Sequence, residues 1–221
     1  MEPTTKPRVK ICCISSIEEA WMAINLGASA LGLVSSMPSG PGVISEELIA
    51  EIAAKVPAGV ASFLLTSKQD SLSIIKQQQR CRVNTIQICD SLTYGSHQDL
   101  REALPGIAIV QVIHVVGEES IEEAISIAGD VDGILLDSGD RSLAVKQLGG
   151  TGKKHDWSIS KKIREAVKVP VFLAGGLNPE NVAEAIKIVA PFGLDICSGV
   201  RTNGKLDGEK LARFFSAISS V

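Results

Sequence analysis

Aromatic residues are scarce: the 221-residue chain has 2 Trp, 1 Tyr and 5 Phe. A surface that stacks bases needs such side chains, so single-stranded nucleic acid is a poor partner for it. An excess of charge is also missing. The 22 Lys and Arg against 25 Asp and Glu leave a formal charge of −3, which excludes binding by bulk attraction to a phosphate backbone. The five cysteines, at 12, 13, 81, 89 and 197, are odd in number and show no CxxC spacing. They suit free thiols in a reducing, cytoplasmic setting better than a disulfide framework. The opening segment MEPTTKPRVK has no apolar run, so no secretory signal is expected there. The longest charge-free stretch, Ala20 to Ser45, is broken by four glycines, Pro38 and several serines and cannot span a membrane.

Apolar residues nevertheless make up 45% of the chain. With so few aromatics, the core has to be aliphatic. Short apolar runs recur at 8–14, 30–35, 59–66, 83–89, 106–115, 132–137, 169–174 and 192–197. Between them lie helical patterns at 16–27, 45–56, 69–81, 96–104, 118–129, 158–168, 178–190 and 207–219. Ser16 with Glu19 predicts a capping box, Gly27 a helix stop, and Asn178-Pro179 an N-cap and first helical residue. Eight strands alternating with eight helices leave two solutions, a doubly wound sheet or a closed (β/α)8 TIM barrel. A dinucleotide fold would place GxGxxG after its first strand, where this chain has Ile14-Ser15-Ser16. Its glycines cluster after the last three strands instead, beside which a barrel binds phosphate. The expected organisation is a flexible tail over residues 1–7 and one barrel over 8–221.

Three glycine segments stand out: Gly149-Gly150-Thr151-Gly152-Lys153, Ala174-Gly175-Gly176-Leu177 and Ser198-Gly199-Val200. Residues without a Cβ let backbone N–H groups approach an oxyanion. GGTGK lacks the spacing of a P-loop. Lys10 and Cys12 share one face of the first strand by period two. A lysine inside a barrel needs a partner, and Asp195, on the strand that closes against the first, is the expected one. Cys12 and Asp137 then fall at the catalytic face as candidate base and acid. His97 and His155 read as surface residues, Trp21 and Cys81 as packing residues, and Trp157 as the anchor of the long connection 138–157. Cys12, Cys89, Cys197 and His114 lack the paired spacing of a zinc site.

Together these segments resemble the phosphoribosylanthranilate isomerase family. The matching stretches are VKIC (9–12), GASALG (27–32), LLDS (135–138), GGTGK-xx-DW (149–157), VFLAGGLNPENV (171–182), DICSGV (195–200) and GKLD (204–207). The resemblance implies an Amadori rearrangement of N-(5-phosphoribosyl)anthranilate in tryptophan biosynthesis, with Asp137 as general acid and Cys12 as general base. It places the phosphate at Gly150, Thr151, Gly152, Gly175, Gly176, Ser198 and Gly199, with Lys10 and Asp195 fixing the sugar or each other. It implies no metal or organic cofactor, and a monomer or homodimer acting on a phosphorylated small molecule.

The chain departs from that pattern near the aromatic end of the substrate. Cys13 stands where the family carries glycine. Ser39-Gly40-Pro41-Gly42-Val43 puts Gly42 in place of an arginine, and Gln87-Ile88-Cys89-Asp90 puts Cys89 in place of a histidine. Arg201 replaces a glutamate, and a role in binding phosphate is expected for it. These changes leave two alternatives: an isomerase of another phosphorylated sugar, and a barrel that binds a phosphoryl ligand without turnover.

Overall fold

A computed structural model of the chain describes residues 6–139, 142, 143, 145–149, 152 and 154–221. Eight strands form a closed barrel in sequence order. They are β1 (Arg8–Ile11), β2 (Ala30–Val34), β3 (Ala61–Thr66), β4 (Thr85–Ile88), β5 (Ala108–His114), β6 (Gly133–Asp137), β7 (Val171–Leu173) and β8 (Gly193–Ile196). Each is followed by a helix: α1 (Ile17–Asn25), α2 (Glu46–Ala53), α3 (Ser71–Cys81), α4 (His97–Ala103), α5 (Glu119–Ile127), α6 (Trp157–Ala166), α7 (Val182–Val189) and α8 (Gly208–Ser219). A short antiparallel pair, β9 (Arg201–Thr202) and β10 (Lys205–Leu206), sits between β8 and α8. The chain is therefore a (β/α)8 TIM barrel, and all neighbouring barrel strands are parallel. No helix among the described residues is long and apolar enough to cross a membrane.

The strands are short and nearly all buried because both faces are covered. One side chain set, including Ile11, Leu31, Leu33, Leu64, Ile86 and Leu194, packs outward against the helices. The alternate set fills the barrel, with Phe63, Leu65, Val112, Leu135 and Phe172 among its members. Phe63, Phe172 and Phe192 meet edge to face, with ring centroids 6.0 and 5.5 Å apart. Three of the eight aromatics thus fill the interior that the aliphatic residues leave open.

Helix starts follow local chemistry. Ser16, Ser45, Asp70, Ser96, Asp156 and Asp207 each accept an N–H of the first turn, an interaction that stabilises a helix by about 1 kcal/mol. Gly27 adopts φ +111, as a stop after α1 requires. Two sequence expectations need correction. The capping box at Ser16 is half formed: Ser16 Oγ accepts from the Glu19 N–H, but the Glu19 carboxylate turns to Ser15, Leu206 and Arg201. Helix α7 begins at Val182 rather than at Pro179. The Asn178 side chain accepts the N–H groups of Glu180 and Asn181, making a separate turn before the helix. Of the expected tail, residues 1–5 lie outside the described residues.

Candidate active site at the C-terminal mouth of the barrel

The site begins inside the barrel, one strand turn below its mouth. Lys10 on β1 is fully buried, and its Nζ lies 2.9 Å from Asp195 Oδ2 on β8. The strand register places the two residues directly opposite each other. Burial opposes the charge on Lys10, but Asp195 and then Cys12 outweigh it and hold the ammonium above its ordinary pKa. The ammonium also lies over the Phe63 ring, 5.3 Å from its centroid. This pairing is the one expected from closing the barrel.

Cys12, at the exit of β1, stands above that ion pair. Gly32 on β2 provides the room: a Cβ there would sit 2.9 Å from Cys12 Sγ and 3.1 Å from Lys10 Nζ. The sulfur and the ammonium therefore share the space above a residue with no side chain. Asp137, at the end of β6, lines the same cleft as Cys12. Its Oδ1 accepts the Ser138 N–H at 2.7 Å. Its Oδ2 faces Gly149, where φ is +129 and a Cβ would be 2.5 Å away. One carboxylate oxygen is thus fixed by the backbone, while the other looks toward the long loop after β6.

The cleft holds about 700 Å³ of space, counted out to solvent. One end is made by turns without side chains. Gly152, Gly175, Gly176 and Ser198 line it, and a Cβ on Gly152 would lie 3.5 Å from Ser198 Oγ. Gly199 packs against the carbonyl of Leu177 and lies 3.0 Å, from its would-be Cβ, to Asn178 Cα. The connections after β6, β7 and β8 therefore meet, as the glycine pattern suggests. Gly150, Thr151 and Lys153 lie outside the described residues.

The other end is apolar, lined by Val34, Met37, Leu65 and Leu148, with Gln87 and Cys89 beneath. Burial keeps the Cys89 thiol protonated. The loop at 36–44 lies across this end. Ser39 Oγ donates to the Lys146 carbonyl at 2.7 Å, and Ser67 Oγ donates to that of Ser36 at 2.8 Å. Among the described lining residues there is no lysine or arginine. Gly42 has φ +80, and a Cβ on it would overlap the Cys13 side chain.

Arg201 is not where the sequence reading put it. Its guanidinium is buried against Glu19, with Nη1 to Oε1 at 3.0 Å and Nη2 to Oε2 at 3.2 Å. The same group donates to the carbonyls of Cys12, Cys13 and Gly204. It braces the segment after β1 instead of offering a cation to phosphate. His155 is not a surface residue either. Its Nε2 lies 2.6 Å from Ser160 Oγ, and its Nδ1 is buried beside Gly175. Burial lowers its pKa, with Asp137 opposing. His97 is half-buried, its Nε2 3.2 Å from Gln111 Oε1. Trp157 is buried at the start of α6, with Lys154 Nζ 4.9 Å from its ring centroid.

Reading the sequence missed the room that Gly32 leaves for Cys12 and Lys10, the close approach of Gly149 to Asp137, and the contact between Cys13 and Cys197, whose sulfurs are 2.8 Å apart. The last had a usable signal. Once β1 and β8 pair, Ile11 stands beside Ile196, which brings the Cys12-Cys13 pair to the same end of the barrel as Cys197. Among the described residues, no group of three or more His, Cys, Asp or Glu is placed to hold a metal ion.

Over residues 9–217 the chain matches the family described as N-(5'phosphoribosyl)anthranilate (PRA) isomerase. It is 38% identical over 209 residues to N-(5'-phosphoribosyl)anthranilate isomerase 2 of Methanosarcina mazei, covering 94% of this chain and 92% of that protein. With the isomerase of Methanosarcina acetivorans it shares 34% over 227 residues, covering 96% and 93%. The structure of phosphoribosyl anthranilate isomerase from Thermotoga maritima superposes with a TM-score of 0.81 at 29% identity, over 97% of this chain and 100% of that one. A second isomerase structure, in complex with reduced 1-(o-carboxyphenylamino)-1-deoxyribulose 5-phosphate, gives 0.78 at 27% identity with the same coverage.

Proposed function

The chain belongs to the N-(5'-phosphoribosyl)anthranilate isomerase family, and we propose that Cys12 and Asp137 carry out its acid–base chemistry. The protein is an isomerase of tryptophan biosynthesis that converts an aldose to a ketose. Its reaction is the Amadori rearrangement of N-(5-phosphoribosyl)anthranilate to 1-(2-carboxyphenylamino)-1-deoxyribulose 5-phosphate.

The observation that carries the assignment is that Cys12 and Asp137 line one cleft whose far end is built of glycine turns. Asp137, in its acid form, protonates the ribose ring oxygen, and the anomeric C–O bond breaks as the amine nitrogen lends its electron pair. That leaves an open-chain iminium. Cys12, as thiolate, removes the proton on C2, and the electron pair forms the enolamine. Protonation at C1, with loss of the proton from the C2 hydroxyl, then delivers the ketose. The iminium acts as the electron sink, so the substrate supplies what a cofactor supplies elsewhere. Lys10, charged and close to Cys12, places a positive charge beside the reacting centre.

Gly152, Gly175, Gly176, Ser198 and Gly199, with Gly150 and Thr151, receive the phosphate in this reading. Turns without Cβ atoms let N–H groups reach phosphate oxygens and add nothing to the net charge. Asp195 holds Lys10 in place. Val34, Met37, Leu65 and Leu148 suit the flat apolar ring of anthranilate. All these residues belong to one chain, which supports a site complete in a monomer or in each half of a homodimer. Five free cysteines support a cytoplasmic setting. The reading needs neither nucleic acid nor a membrane.

The test is conversion of freshly generated phosphoribosylanthranilate, followed by loss of its fluorescence. Cys12→Ser and Asp137→Asn should each abolish measurable turnover while inorganic phosphate still binds. Turnover that survives both substitutions would overturn the assignment of acid and base.

A further inference from the structure

We propose that Cys13 and Cys197 form a redox-active dithiol, oxidised by hydroperoxides to a disulfide that ties the segment after β1 to the turn after β8. The two sulfurs are 2.8 Å apart although 184 residues separate them in sequence. Both residues are free cysteines and both line the mouth of the cleft, Cys197 with its surface partly open to solvent. A disulfide bond is about 2.05 Å long, so closing it takes less than about 1 Å of sulfur movement. The frame is tied together, because Ile11 and Ile196 are in register and the Cys12 N–H donates to the Ile196 carbonyl at 2.8 Å, one residue before each of the two cysteines.

The backbone points the same way. Cys13 has φ +63, a left-handed conformation that costs a residue with a Cβ about 1–2 kcal/mol and glycine almost nothing. The fold keeps a thiol where glycine would be free of strain. Gly42, by having no side chain, leaves the space that thiol fills.

The two sulfurs have different roles. The thiol of Cys13 lowers the pKa of Cys197, burial opposes this, and Arg201 assists. Cys13 is held protonated by its contacts with Cys12 and Cys197 and by burial. Cys197 is therefore the attacking thiolate and Cys13 the resolving thiol. The Cys197 sulfur takes one peroxide oxygen as the O–O bond breaks, giving a sulfenic acid and releasing hydroxide (alkoxide from an organic hydroperoxide). That base takes the Cys13 proton. The Cys13 thiolate then displaces hydroxide from the oxidised sulfur, forming the S–S bond. Two electrons leave the dithiol, and the peroxide oxygens end as water and hydroxide. A reducing thiol such as dithiothreitol reverses the step by exchange.

The experiment treats the full chain with one equivalent of hydrogen peroxide, alkylates it under denaturing conditions and maps the peptides by mass. The expected result is a linked peptide pair containing Cys13 and Cys197, lighter by two hydrogens than the reduced pair, with Cys81 and Cys89 alkylated. Dithiothreitol should remove the link. It should be absent from Cys197→Ser and from Cys13→Gly, the second of which suits the left-handed backbone and keeps the fold. A link through Cys12, oxidation confined to Cys12, or recovery of both thiols alkylated would each overturn the proposal.

Discussion

Gly42 packs against Cys13 so closely that a Cβ on Gly42 would overlap the cysteine side chain. Two departures from the family pattern are thus one physical change, since the thiol occupies what a longer residue at position 42 would need. Restoring the cation alone should fail. Gly42→Arg forces a side chain into that contact and holds it at φ +80, so it should destabilise the fold by at least about 1 kcal/mol. Adding Cys13→Gly opens the space and should recover part of the loss. Urea denaturation of the two single variants and the double variant measures the coupling, expected at about 0.5–3 kcal/mol for groups in contact. Additive effects would show that the two positions do not share that space.

Gly32 tests the proposed base, Cys12, from its β2 side. A methyl group there would meet Cys12 Sγ at 2.9 Å and Lys10 Nζ at 3.1 Å. It can displace the sulfur or the ammonium, but it cannot reach the glycine turns after β7 and β8. Gly32→Ala should therefore lower kcat steeply while inorganic phosphate still inhibits at its wild-type concentration. Loss of phosphate inhibition together with kcat would point to a general distortion of the mouth instead.

Much of this arrangement was legible in the sequence. Alternation along β1 put Lys10 and Cys12 on one face, and closing the barrel named Asp195 as the partner of Lys10. The glycine runs marked the connections that meet at the mouth. What stayed hidden depends on contacts between distant loops. Arg201 follows a glycine turn expected to hold phosphate, so its charge suggested phosphate, but its carboxylate partner Glu19 is 182 residues away. Ser16-x-x-Glu19 looked like a local capping box for the same reason, since the pattern cannot show that the carboxylate has a better partner in the segment after β8. Asn178-Pro179 gave a helix start three residues early because an Asx turn and an N-cap share one signature. Local chemistry was readable, and competition for a side chain between near and far partners was not.

The Glu19–Arg201 pair should appear in the pH dependence of stability. Burial would raise the Glu19 carboxyl, but Arg201 and the N–H groups of Leu206 and Ser15 outweigh it and hold its pKa below the ordinary carboxylate value. A depressed acid contributes stability that is present above its unfolded pKa, about 4.3, and is lost as pH falls through the folded value. Urea unfolding should therefore weaken below about pH 4.3 in the wild type, and Glu19→Gln should flatten that part of the profile. At pH 7 the substitution leaves a buried guanidinium without its counter-charge, at a cost of about 3–5 kcal/mol. An unchanged acid limb in Glu19→Gln would remove the pair from the account.

Gly199 separates binding from chemistry. A Cβ on it would run into the Leu177 carbonyl and lie 3.0 Å from Asn178 Cα. Both neighbours are backbone, so the strain cannot be relieved by turning a side chain. Gly199→Ala has to push the turn after β8 away from the turn after β7, and those two turns are proposed to hold the phosphate together. Cys12, at the exit of β1, and Asp137, at the end of β6, should keep their positions. The phosphate is bound alike in substrate and transition state, so its loss should raise KM and leave kcat nearly unchanged. Losing one charge-assisted hydrogen bond costs about 1.5–3 kcal/mol, which sets the rise in KM at roughly 10- to 150-fold. Gly129→Ala is the control, because a Cβ there meets nothing within 4 Å and should leave both constants unchanged. A fall in kcat at constant KM in Gly199→Ala would move this turn from binding the phosphate to shaping the reacting centre.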